Sequence, residues 1–341
     1  MEEMTMRHFR LKMGLLILTP RNRTTALPRV ILTALAIACA GQAAASPTEI
    51  VIEGANTFPE NITSTRDGTI ITGSVGSGGI FKAAPGATVA TQWIAPGDNG
   101  LLDTFGVLAD EASDTLWVCS SRMDPPVAGE PPAVPALYRY HLDTGAFRSK
   151  HPLPGRTGLC NDIAIGPDRA AYVADTTGGR ILRLRDGGET LDEWSKSAEL
   201  EGADGLDFQE RQLFVNSFTT GKLFRIELKP DGTAGAPVTL TASRPLIQPD
   251  GLRRLNDRQF VMAEGAGTID LLTVNGDTVE VETLRSGMIG PAGVTIIGDI
   301  IWALESKLSM RGQSAVDPAP FKAYAVPVIG DCYGLGARCA K

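Results

Sequence analysis

Several things are scarce in this sequence. Only 3 of its 341 residues are histidine and no G-x-S-x-G occurs, so no nucleophilic triad is visible. Aromatics make up 6% of the chain, and its apolar residues fall in short groups between turn signals rather than in long runs. The one extended apolar stretch, Val30 to about Ala40, is too short to span a bilayer comfortably. Positive charge is also short: the net charge is −7, which argues against nucleic acid or an anionic membrane as the main partner. A small-molecule partner is untouched by that argument, and oligomeric state stays open.

What is plentiful is turn chemistry. The chain has 38 Gly and 22 Pro, the composition of a many-stranded protein. Residues 1–45 read differently: "LPRVILTALAIACAGQAAAS" has a basic flank ending at Arg29, an apolar run, and an Ala43-x-Ala45 site before Ser46. It is expected to be a secretory signal peptide, with Met6 or Met13 as alternative starts. An uncleaved anchor and lipidation at Cys39 are minor alternatives. Export to the periplasm or the extracellular space follows, with no membrane span in the mature chain. The segment carries six Lys/Arg against two Asp/Glu, so its removal takes the net charge from −7 to about −11.

The remaining chain repeats itself. Six stretches, "PENIT", "TFGVL", "CNDIA", "ADGLD", "PDGLR" and "PAGVT", each place a variable residue before Gly, Asn or Asp and then Ile, Val or Leu. Their variable residues are Glu60, Phe105, Asn161, Asp204, Asp250 and Ala292, separated by 45, 56, 43, 46 and 42 residues. Each start leads into a strand, a polar turn, a β-rich strand, a Gly-containing loop and a third strand. A fourth, outer strand is visible in some copies, as in "TVATQWI". Strand-only units of this length predict an all-β, six-bladed β-propeller over residues 46–330, with 331–341 as a tail. "TEIVIEG" (Thr48–Gly54) is placed to close the ring as the outer strand of the last blade.

In such a ring the six starts line one mouth of the central channel, where Glu60, Asp204, Asp250 and the carboxamide of Asn161 converge. Crowded carboxylates repel and are costly to desolvate, so a bound cation is expected. Hard oxygen donors favour Ca²⁺, with Mn²⁺ and Mg²⁺ as alternatives. Taken singly, each Asp-Gly pair is also an ordinary turn dipeptide, and Asp162 is placed only in an outer position or a turn. Ser120, Asp175, Asn216, Glu264 and Glu305, at the ends of the second strands, are expected to form a second polar ring, where single members are candidates for substrate contact. Two long loops, Ser121–Ala136 and Ser306–Pro320, read as walls or lids of a pocket over the ion. Of the four cysteines beyond the leader, Cys332 and Cys339 are spaced to close a short loop, and the pairing of Cys119 and Cys160 stays open.

"CNDIAIGPDRAAYVADT" and "QPDGLRRLNDRQFVMAE" resemble the Asn-Asp and Pro-Asp-Gly blades of the senescence marker protein/gluconolactonase family. These are calcium-dependent six-bladed propellers, related in architecture to paraoxonases and strictosidine synthase-like proteins. The resemblance runs from about Glu60 to Val328. It implies metal ligands at Glu60, Asn161, Asp204 and Asp250, with Asp250 also the general base. It further implies a metal-dependent lactonase, a carboxylic ester hydrolase acting on a lactone or similar cyclic ester. The alternatives are a non-catalytic secreted propeller binding a small molecule or protein partner, and a lyase or synthase of the strictosidine synthase-like type. The sequence departs from the family at Asp204, where Asn is often found, and no paraoxonase-like His pair is present because Phe105 occupies the corresponding place.

Overall fold

The computed structural model describes residues 47–125, 129, 132–313 and 317–328. The leader 1–45, the tail from 331 and the Cys332/Cys339 pair lie outside the described residues. Strand β1 (Glu49–Ile52) comes first. Six sets follow: β2 (Pro59–Ser64), β3 (Ile70–Ser74), β4 (Ile80–Ala83) and β5 (Val89–Ile94); β6 (Asp103–Asp110), β7 (Thr115–Ser121), β8 (Ala136–His141) and β9 (Phe147–Pro152); β10 (Cys160–Ile165), β11 (Ala171–Asp175), β12 (Arg180–Leu184) and β13 (Asp192–Lys196); β14 (Ala203–Gln209), β15 (Gln212–Ser217), β16 (Lys222–Glu227) and β17 (Val238–Ala242); β18 (Pro249–Arg254), β19 (Gln259–Glu264), β20 (Thr268–Asn275) and β21 (Thr278–Arg285); and β22 (Pro291–Ile297), β23 (Ile300–Glu305) and β24 (Phe321–Pro327). The helical elements among the described residues are short 3₁₀ turns, and none is long and apolar enough to cross a membrane.

Within each set the strands pair antiparallel in chain order. The last set has three strands of its own, and β1 adds to it, with Ile50 opposite Ala323. Parallel pairs join β1 to β5 and β17 to β21, so the sheets contain eight, four, eight and four strands. The first strands pack in chain order, β2 on β6 on β10 on β14 on β18 on β22, and β22 packs back on β2.

The core is built between sets. Tyr172 of the third set meets Trp194 and Phe208 edge-on, each at 4.9 Å, and Phe214 of the fourth meets Phe260 of the fifth at 4.6 Å. Burying one such ring contributes about 1.5–3 kcal/mol, and a well-placed aromatic pair adds about 0.5–1.5 kcal/mol. A set alone would leave these faces wet, so the sets stabilise one another. A disulfide between Cys119 on β7 and Cys160 on β10 ties the second set to the third. By the loop-entropy relation, closing that span is worth about 2–4 kcal/mol.

The repeated motif has a specific backbone form. In all six first strands the pairing register breaks at the same place, between Pro59 and Ile62, Thr104 and Val107, Cys160 and Ile163, Ala203 and Leu206, Pro249 and Leu252, and Pro291 and Val294. Such a bulge frees two residues from the ladder and re-aims their side chains. Glycine at the second freed position admits the next strand: a Cβ on Gly205 would lie 2.2 Å from the Asp250 carbonyl oxygen. Only Asn61 and Asp162 break this glycine rule.

Candidate metal centre

The first freed residue of each bulge is Glu60, Phe105, Asn161, Asp204, Asp250 or Ala292, and all six are buried. Glu60, Asp204 and Asp250 each bring a carboxylate oxygen within 4.8 Å of the others. Asn161 joins them by donating from Nδ2 to Asp204 Oδ2 at 2.8 Å, and also to Thr176 Oγ1 at 2.9 Å. The four residues singled out in the sequence therefore lie together.

Electrostatically the cluster is under-neutralised. Two unit charges at this separation repel by about 3–4 kcal/mol at the effective dielectric of a protein site. Burial first, then the Asp204 and Asp162 charges, holds Glu60 well above the usual carboxylate range, with Arg253 opposing. Asp204 is pushed up to about 8 by burial and then by Asp162. Asp250 is raised well above its ordinary value by burial, Asp204, Glu60 and Asp162. Two buried oxygens, Glu60 Oε2 and Asn161 Oδ1, have no hydrogen-bond partner among the described residues. Orphaned acceptors among crowded carboxylates are the donor set a hard cation takes, so the residues fit such an ion.

One residue further along β2 and β10, at Asn61 and Asp162, the chemistry reverses. Asp162, placed by sequence only in an outer position or a turn, is fully buried and fully paired. Arg253 forks onto it, Nη1 to Oδ2 at 2.7 Å and Nη2 to Oδ1 at 2.8 Å. Asn61 Nδ2 donates to Oδ1 at 3.0 Å, the Ile163 amide to Oδ1 at 2.8 Å, and the Leu206 amide to Oδ2 at 3.4 Å. Sequence reasoning passed over Asn61 and Arg253. A signal existed for Asn61, which with Asp162 is polar at the second motif position where the other four sets have Gly; Arg253, two residues beyond Gly251, carried no such signal.

The members of the second polar ring are buried and already engaged by the backbone. They take backbone amides of neighbouring turns and strands: Leu102 on Ser120 Oγ, Leu159 on Asp175, Gly205 on Asn216, Ile247 on Glu264 and Ile289 on Glu305. Asp175 is also paired with Arg180 at 2.7 Å, and Glu264 with Arg244 at 2.7 Å. Polar side chains at strand ends thus serve the blade, because the turn amides there need acceptors. The two long loops touch: Arg311 grips Asp124 through two bonds of 2.6 and 2.8 Å. A second acidic group, Asp114, His141 and Asp143, is already met by Arg148, 2.8 Å from Asp114 Oδ2. A cavity of about 300 Å³ is lined by Leu108, Ile163, Ile165, Asp207 and Arg253, and not by Glu60, Asp204 or Asp250.

No protein-family model matches the chain, and no curated protein matches it significantly. Solved structures share its fold. A calcium-binding protein, regucalcin, from Agrobacterium tumefaciens superposes with a TM-score of 0.59 at 12% identity, over 82% of this chain and 96% of that one. A gluconolactonase from Xanthomonas campestris gives 0.58 at 15% identity, over 80% and 86%. Virginiamycin B lyase from Staphylococcus aureus, in a catalytically inactive histidine-to-alanine variant, gives 0.54 at 16% identity, over 82% and 98%. The class defined here is thus an all-β chain with the fold of these β-propellers, carrying a buried acidic cluster. The family resemblance seen in the sequence points to the same group of folds.

Proposed function

We propose that the chain is a six-bladed propeller, closed by β1, that acts as a metal-dependent hydrolase on a lactone or similar cyclic ester. The single observation that carries this reading is the buried trio Glu60, Asp204 and Asp250 with two orphaned ligand oxygens beside it. The cyclic order of first-strand packing and the pairing of β1 with β24 support the closed ring. Glu60, Asn161, Asp204 and Asp250 would hold the ion, most suitably Ca²⁺ among hard divalent cations including Mn²⁺ and Mg²⁺. When bound, that ion supplies polarisation of the ester carbonyl and neutralises the developing oxyanion. Asp250 takes a proton from the attacking water, and burial of the cluster keeps bulk water from competing for the same charges. The Cys119–Cys160 bridge supports an exported chain, since disulfides persist in oxidising compartments.

Turnover of sugar and aliphatic lactones by purified protein, with and without chelator, tests the reading. Metal-dependent hydrolysis of at least one is expected; folded, metal-loaded protein inert on all of them would sink it. A second reading, a binder without catalysis, is favoured by one observation: the polar ring above the cluster is committed to backbone amides. Asp250→Ala separates the two: loss of turnover with ligand binding kept favours an enzyme, and no turnover in either form favours a binder. A histidine-based lyase is not favoured, as His141 and His151 sit on the outer strands β8 and β9.

A further inference from the structure

Four strands carry the proposed ligands, and they are not all neighbours. β2, β10 and β18 bear Glu60, Asn161 and Asp250, but β6, β14 and β22 intervene between them in the packing order. No backbone ladder joins these three strands, so their ligands are fixed relative to one another only through intervening strands or through side chains crossing the channel. Asp162 supplies that crossing. Its two oxygens receive Asn61 Nδ2 from β2, its own strand's Ile163 amide from β10, the Leu206 amide from β14 and the Arg253 fork from β18. Each ligand-bearing strand contributes a donor to one carboxylate. Arg253 Nη2 also reaches Asn61 Oδ1 at 3.3 Å, and Nη1 donates to the Leu252 carbonyl at 2.8 Å, which holds the guanidinium plane.

We propose that Asp162, with Asn61 and Arg253, is a positioning hub that sets the spacing of Glu60, Asn161, Asp204 and Asp250 and so fixes how tightly and how selectively the site takes a divalent cation. The inference rests on the metal-centre reading above. None of the three residues touches substrate in that reading. They act through the strands, as outer partners do when they orient metal ligands.

A positioning role and a mere charge role predict opposite signs. Arg253 is a positive charge beside the cation site, so if it acted by charge alone its removal would tighten cation binding. If it positions the ligands, its removal weakens binding. Arg253→Lys keeps the charge but replaces a planar two-bond fork with a single point donor. Asn61→Gly is the gentlest variant, since glycine is what four of the six sets carry at that position.

The experiment is calorimetric titration of chelator-stripped protein with Ca²⁺ and separately with Mg²⁺, with circular dichroism as the check on fold. Arg253→Lys, Arg253→Met and Asn61→Gly are each expected to lose about 10- to 100-fold in Ca²⁺ affinity, the range for outer metal-site partners, and to narrow the Ca²⁺/Mg²⁺ ratio. Unchanged affinity in Arg253→Lys and Asn61→Gly, or tighter binding in Arg253→Met, overturns the hub while leaving the metal centre intact. No cation binding by the unaltered chain overturns the metal centre and the hub with it. Where Arg253→Met does not fold, Arg253→Lys and Asn61→Gly decide.

Discussion

Two layers of one channel treat buried carboxylates in opposite ways. Asp162 is saturated, with a guanidinium fork, an amide side chain and two backbone amides on its two oxygens. In the neighbouring layer Glu60, Asp204 and Asp250 crowd together, and among the described residues Glu60 Oε2 has no hydrogen-bond partner. The fold can neutralise a buried acid, because it does so at Asp162. Leaving the neighbouring three unneutralised costs the metal-free protein stability, which fits the proposed reading of the upper layer as a ligand site and the lower one as its support.

The broadest way to break this contrast is pH. In the metal-free protein the upper carboxylates hold protons more tightly folded than unfolded. Stability is therefore fully present below the ordinary carboxylate range and is lost as pH rises through the folded values, about 8 for Asp204. Because three groups act in the same direction, we expect the urea midpoint of chelated protein to fall steadily between about pH 4 and 8. Saturating Ca²⁺ removes most of that slope. A chelated midpoint that stays flat or rises over this range would contradict the upper layer's account.

Next comes removal of one carboxylate from each layer, where opposite signs are expected. Asp162→Ala leaves Arg253 buried without a partner and should destabilise the chain by about 3–5 kcal/mol in urea titration, with or without Ca²⁺. Pairing it with Arg253→Met should recover much of that loss, because the orphaned charge leaves too. Glu60→Gln removes a buried charge from a repelling set. It should raise the stability of chelated protein at pH 8 by about 1–3 kcal/mol and abolish the gain that Ca²⁺ gives. Glu60→Gln behaving like Asp162→Ala would erase the distinction between the layers.

How much of this was readable in advance differs between the layers for a physical reason. The upper layer is written as a repeat: Glu60, Asn161, Asp204 and Asp250 stand in the same register of a motif, so periodicity brings them together without coordinates. The bulge that aims them was not readable, because it is a backbone event that Gly106 or Gly205 permits but does not spell out. The lower layer breaks the repeat. Asn61, Asp162 and Arg253 occupy two motif positions in three sets, and their contacts span 91 to 192 residues of sequence. The second polar ring hides its bonding for a related reason: Asp175 and Glu264 look unengaged in sequence, yet turn amides donate to them. Cys119 and Cys160 meet only because β7 packs beside β10.

The smallest effect concerns the fork between the two long loops. Asp124 is 59% exposed at its side chain, and exposed pairs contribute about 0–1 kcal/mol, so Arg311→Gln should barely move the unfolding midpoint. Its consequence should fall on access instead. Asp124 follows β7 and Arg311 follows β23, strands whose sets flank the set that carries Glu60, so the fork joins two loops on either side of that ligand. Releasing it should raise both the on-rate and the off-rate of Ca²⁺ in stopped-flow chelator exchange by a few-fold, with little change in their ratio, because the ligands themselves keep their places. The hub variants should instead change the ratio. An Arg311→Gln protein whose Ca²⁺ affinity falls as far as that of Asn61→Gly would place the loops, rather than the channel floor, in control of the site.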